Sequence, residues 1–174
     1  MRNRVDISVG GVLLLAALSF FLRLDEFAAL ACAALAHEAG HLAAIYLCGG
    51  HVLRLRLGAS GPVIDRTPSP DRAAELFCCL AGPAGGLLFA LALAEGWPLA
   101  AGMSLALSAF NALPALPLDG GRALAAALGE GAAAACSLVT ASLCLLAGLI
   151  LAAEGFGPAL PLPGAVLLLM QARL

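Results

Sequence analysis

His37, Glu38 and His41 fall within five consecutive residues of an apolar stretch from Phe27 to Leu47. On a helix, residues four apart share a face, so both imidazoles can reach one metal ion while Glu38 stands at the neighbouring position. The H-E-x-x-H spacing therefore predicts two nitrogen ligands beside a carboxylate suited to general-base work. Ionisable groups inside a membrane span are costly, and by default they mark a functional site. A catalytic zinc takes three protein ligands and keeps a fourth position for water, so a third ligand must come from elsewhere. Free cysteines and His51 are candidates, and Asp119 is the better one. It lies in Asn111-Ala-Leu-Pro-Ala-Leu-Pro-Leu-Asp119-Gly-Gly-Arg122, where Pro114, Pro117 and the glycine pair interrupt an apolar run from Trp97 to Leu128. Broken backbone at membrane depth is tolerated only when buried in protein or lining a wet cavity, which puts the break at a site. Alternatively, Asp119 serves as a helix cap after Pro117.

The elements that must position these groups are membrane helices. Of the 174 residues, 62% are hydrophobic and 11% charged, and the mean hydropathy is +1.00. A soluble domain needs roughly a quarter of its residues charged, so a soluble fold is excluded. Six apolar segments stand out: 7–22, 27–47, 76–94, 97–128, 131–153 and the short, proline-interrupted 159–170. Arg2 and Arg4 before the first segment resemble a secretory signal, but no clean small-residue cleavage site follows, and the segment reads as a membrane helix. The net charge is −2 and all nine cationic residues are arginine, so there is no lysine-rich patch for nucleic acid. Cys32, Cys48, Cys78, Cys79, Cys136 and Cys144 lack metal-binding spacing and read as buried reduced thiols; Cys48 is read as packing and His51 as a surface residue.

Short loops rich in positive charge face the cytosol. With both termini inside, Arg2, Arg4, Arg54, Arg56, Arg66, Arg72, Arg122 and Arg173 share that side, and only Arg23 is outside. In this arrangement His41 stands eight residues before Gly49, and Asp119 ten before Gly129. Those separations correspond to about 12 and about 15 Å of helix, so the half-sites have similar depth. Between the second and third segments, Val52 to Leu57 alternates apolar residues with arginine, and Gly58, Gly61 and Pro62 supply turn chemistry, which predicts a short β-hairpin. Gly82 and Gly86 have the small-xxx-small spacing of close helix packing. The expected fold is an all-α polytopic membrane protein: about six transmembrane helices, a three-helix core over about 27–128, a broken fourth span, and a hairpin after the second.

The sequence His37-Glu38-Ala39-Gly40-His41, together with Asn111 to Arg122, resembles the site-2 protease family of intramembrane zinc metalloproteases (peptidase family M50). It is similar above all to small members related to stage IV sporulation protein FB. The resemblance implies one catalytic zinc held by His37, His41 and Asp119, with Glu38 as general base and Asn111 contacting the substrate or the oxyanion. Gly82-Pro83 resembles a Gly-Pro motif of the family's next core helix, but the asparagine often found just after it is absent, and Gly85 and Gly86 stand there. A single domain over 1–174 is expected, with no room for a PDZ or CBS domain. The expected activity is endopeptidase cleavage of a membrane-associated protein near the cytosolic face, in the lipid bilayer of a bacterial cell membrane. An unwound substrate would add as a strand to Val52–Leu57. The competing readings are a divalent-metal transporter and a catalytically silent zinc-binding membrane protein. Transport predicts polar residues continuing across the bilayer, whereas the outer halves of these spans are apolar, and a structural zinc site has no need of Glu38. The sequence leaves homo-oligomerisation and a regulatory membrane partner open.

Overall fold

The computed structural model describes residues 5–58 and 61–172. Arg2, Arg4 and Arg173, which entered the charge balance, lie outside the described residues. The elements in chain order are β1 (Val5–Ile7), α1 (Val9–Phe21), α2 (Leu24–Leu47), β2 (Val52–Gly58), β3 (Gly61–Arg66), α3 (Arg72–Leu93), α4 (Pro98–Asn111), α5 (Asp119–Leu128), α6 (Glu130–Ala153) and α7 (Leu162–Gln171). Among the described residues, α2, α3 and α6 are each long and apolar enough to cross a membrane. With the scarcity of charge, they mark an integral membrane protein. Helices α1 and α7 are apolar but shorter, 13 and 10 residues, or about 20 and 15 Å against a hydrocarbon core of about 30 Å.

The chain forms two compact units, residues 1–108 and 109–174. In the first, local chemistry sets the helix starts. The Ser8 hydroxyl accepts from the Gly11 N–H and donates to Leu57 O, which caps α1 and ties it to β2. Asp71 accepts from the Ala74 N–H at the start of α3, and the Glu26 carboxylate accepts from the Arg23 N–H at the start of α2. Satisfying these first-turn donors matters because no helical carbonyl is available to them. Helices α2 and α3 pack backbone to backbone: a side chain at Gly40 would strike the carbonyl of Ala81, and one at Gly85 would approach Ala36 O.

The hairpin expected after the second segment is present, with β2 and β3 antiparallel from Val52↔Arg66 to Gly58↔Gly61. One detail is corrected. β1 pairs in parallel with β2, Val5↔Leu55 to Ile7↔Leu57, so the sheet order is β1-β2-β3 and β2 is central. Leu55 to Leu57 already exchange hydrogen bonds on both sides and cannot take an added strand; the edge beyond the hairpin is β3.

In the second unit the expected break in the apolar run from Trp97 to Leu128 is present. The chain leaves α4 at Asn111, passes through a cis Leu116-Pro117 peptide, and re-enters a helix at Asp119. Gly129, at φ +93°, takes the left-handed turn from α5 to α6 that a side chain would strain. Ala115, Ala141 and Leu167 form the core against which Leu118 and Leu168 pack.

Candidate metal centre

The helical period of α2 brings His37 and His41 together on successive turns, with ring centroids 4.9 Å apart and planes at 78°. His37 is buried, and around the pair the helix presents Ala33 and Ala44, both fully enclosed. His41 Nδ1 lies 2.8 Å from the main-chain oxygen of Cys78 on α3. A carbonyl can only accept, so Nδ1 carries the proton, and the lone pair that the ring offers in its neutral form is the one on Nε2, directed the other way. That Nε2 is 3.2 Å from His37 Nε2.

Two nitrogens bound to one tetrahedral zinc at 2.0–2.1 Å lie about 3.3 Å apart, so the pair has the separation the ion requires without further movement. The carbonyl behind His41 is the kind of outer partner that fixes the tautomer and orientation of a ligating imidazole. The donor set therefore fits zinc: two imidazole nitrogens, one pre-oriented, in an apolar setting. Glu38 occupies the next position on α2 and is half-buried.

In the second unit, Asp119 is the first residue of α5, where a carboxylate is favoured by the positive end of the helix dipole. The N-cap position is Leu118, whose side chain makes no capping hydrogen bond, and Asp119 is the first residue inside the helix. The sharp approach to it explains the two glycines that follow. A side chain at Gly120 would strike Ala112 O, and one at Gly121 would strike the main chain of Ala115, so only glycine lets segment 112–118 fold back over the first turn of α5. That segment is held from α6 and α7. The Leu116 N–H donates to Ser137 Oγ at 2.7 Å, Ser137 donates to Ala133 O at 2.6 Å, and the Gln171 amide donates to Leu116 O. Asn111 ends α4, just before this segment.

Among the remaining candidates, His51 is exposed, and its N–H bonds Thr67 Oγ1. Cys48 packs beside Ala44, Ile45 and Cys78. The cysteines are all free, but burial holds only for Cys78 and Cys79; Cys136 is exposed. Cys78 contributes to the centre through its carbonyl rather than its thiol, and Ser137 and Gln171 support the broken segment. None of these carries a sequence signal.

At the sheet end of the first unit, Arg66 donates to both Glu75 oxygens at 2.6 Å, to Ser69 Oγ and to Thr67 O. Burial works against its charge, but the hydrogen bonds and charge of Glu75 outweigh that and hold the guanidinium above the usual arginine range.

No family model matches the chain, and no curated protein matches it in sequence. Among solved structures, the site-2 protease from Methanocaldococcus jannaschii is similar, with a TM-score of 0.66 at 21% identity, over 99% of this chain and 92% of that one. At that identity the likeness establishes a common fold.

Proposed function

We propose that the chain is an intramembrane zinc metalloendopeptidase of the site-2 protease family, cleaving a membrane-associated protein near the cytosolic face. The observation that carries the reading is the His37–His41 pair, with Nε2 atoms 3.2 Å apart and His41 anchored through Nδ1. The shared fold supports it, as do the H-E-x-x-H residues and the Asp119 segment. In this reading Asp119 is the third ligand of a single zinc, and Asn111 contacts the substrate or the oxyanion. The kinship to stage IV sporulation protein FB rests on the motifs alone. The proposal includes about six spans with both termini cytosolic, in a bacterial cell membrane.

Zinc held by these residues would supply Lewis acidity, lowering the pKa of water toward ~7 and polarising the scissile carbonyl. Glu38 accepts the proton of the attacking water on its carboxylate and delivers it to the departing amide nitrogen. Apolar packing around α2 keeps bulk water from the reaction. A substrate helix exposes its amides only after unwinding, and its freed backbone groups then need partners; β3, the edge strand, offers them by strand addition.

Glu38→Gln separates base from ligand. It keeps size and hydrogen bonding but removes the proton acceptor, so zinc content should stay at the wild-type level while turnover of a membrane substrate falls roughly 10²-fold or more. Normal turnover in this variant would sink the assignment and reopen the transport and silent-binding readings.

A further inference from the structure

Helix α3 meets the centre at two points one turn apart, the Cys78 carbonyl and Gly82. The first holds His41 Nδ1. At the second, a β-carbon built on Gly82 falls upon His41 itself: its three nearest atoms are Nε2, then Cε1 at 2.5 Å and Cδ2 at 2.6 Å. Real β-carbons essentially never approach another heavy atom within 3.0 Å, so any residue with a side chain forces the imidazole to move.

The direction of the conflict is informative. A carbon placed in the ring plane, on the lone-pair axis, would be much farther from Cε1 and Cδ2 than from Nε2. The added carbon is only slightly farther from them, so it stands over the face of the ring. The imidazole of His41 therefore lies flat against the Cα of Gly82, with its lone pair directed past α3 rather than into it.

Neighbouring glycines behave differently. Gly40 and Gly85 are crowded by main-chain atoms of the facing helix, and Gly86 by the hydroxyl of Ser108. Those serve helix approach. Of the glycines on α2 and α3, Gly82 alone is crowded by an imidazole.

We infer that Gly82 is the positioning residue for His41. Its bare Cα and the Cys78 carbonyl form a two-point seat that fixes the ring's tautomer, tilt and lone-pair direction for a divalent cation. A face contact leaves the ring free to slide, and a hydrogen bond alone leaves it free to rotate about the Nδ1–O axis; together they leave one orientation. The small-xxx-small spacing of Gly82 and Gly86 thus combines a ring seat with a packing contact. This inference rests on the metalloprotease reading for the identity of the ion, but the seat itself is a property of two main-chain groups of α3 and the ring they hold.

The test uses the full-length protein in detergent and two readouts besides activity. Gly82→Ala should weaken zinc retention against a chelator at least tenfold, and should alter the visible absorption of the cobalt-substituted protein, because the ring can no longer meet the ion at its original angle. In thermal melting of the metal-free protein, Gly82→Ala should lower the midpoint in the His41 background and cost little in the His41→Ala background, where the ring is gone. Gly85→Ala, which meets main chain, should cost the same in both. If Gly82→Ala does not fold, recovery of folding in Gly82→Ala/His41→Ala supports the seat, and failure of both overturns it. Wild-type zinc retention and an unchanged cobalt spectrum in Gly82→Ala also overturn it, as does a melting penalty independent of His41. Should the wild-type protein bind no zinc, the metalloprotease reading falls, while the melting cycle still decides whether Gly82 seats His41.

Discussion

Ser137→Ala should loosen the segment that carries Asp119 while leaving α2 untouched. Ser137 is fully buried and joins two backbone groups, accepting from the Leu116 N–H and donating to Ala133 O. The Ala133 carbonyl keeps its helical partner when the hydroxyl is removed. The Leu116 N–H does not, because it lies in irregular backbone between α4 and α5. An unsatisfied buried donor costs about 1–3 kcal/mol. Interhelical side-chain bonds in membranes average only about 0.6 kcal/mol because the unfolded reference finds other partners, but a main-chain amide held in a proline-flanked turn has fewer alternatives and belongs at the upper end. Alanine is the better helix former by about 0.5 kcal/mol, which offsets part of the loss. The net destabilisation is about 2 kcal/mol, or about 4–8 °C in melting midpoint for a chain of this size. Hydrogen exchange followed by mass spectrometry should show faster exchange across 112–118 and unchanged exchange across 37–41. The control is Ser142→Ala on the same helix, whose exposed hydroxyl bonds only Leu138 O one turn back. Equal melting of the two variants, with unaltered exchange at 112–118, would refute the reasoning.

Arg66→Ala removes two 2.6 Å hydrogen bonds to Glu75 from a side chain only 13% exposed. It should destabilise the protein by about 2–3 kcal/mol, read as a lower melting midpoint, with zinc content unchanged. Gly164→Val sets a side chain against the main chain of Leu145. It should displace α7 and withdraw Gln171 from Leu116 O, so exchange at 112–118 should quicken as it does in Ser137→Ala. Asp119→Ala should abolish zinc retention, measured by metal analysis; full occupancy would move the third ligand elsewhere. A reporter fused after Leu174 should be active in the cytosol, and external activity would overturn the proposed span count.

What the sequence discloses depends on whether a feature is local. His37 and His41 are legible because helical periodicity alone puts residues four apart on one face, and their surroundings are written in the same stretch. The break before Asp119 is legible because prolines and paired glycines exclude a continuous helix wherever they occur. The β2–β3 hairpin is legible from alternation and turn residues. β1 is not: Val5-Asp6-Ile7 is too short to show a period, and its partner Leu55–Leu57 lies some fifty residues away. Its addition turns the expected edge strand into a central one. The carbonyl of Cys78 is equally invisible, since every residue has one, and only the packing of α3 on α2 selects it. Gln171 carries no sequence signal of its own, and only the placement of α7 brings it to Leu116 O.

The two parts of the proposed site are maintained by opposite means, and the membrane explains why. α2 and α3 satisfy their own backbone groups, so in lipid they need only shape to associate, and glycines at 40 and 85 supply it. Residues 112–118 are irregular, and irregular backbone removed from water must import hydrogen-bond partners; Ser137 and Gln171 provide them. Substitutions near His37 and His41 should therefore act through volume: an added methyl is costly, while an apolar exchange of equal size is tolerated. Around Asp119 the dependence is reversed. Serine exchanged for alanine at 137 changes volume little and removes an acceptor, so there polarity is the sensitive quantity. A double substitution combining Gly85→Ala with Ser137→Ala should then be additive within about 0.5 kcal/mol, because one perturbs a surface fit and the other a hydrogen bond.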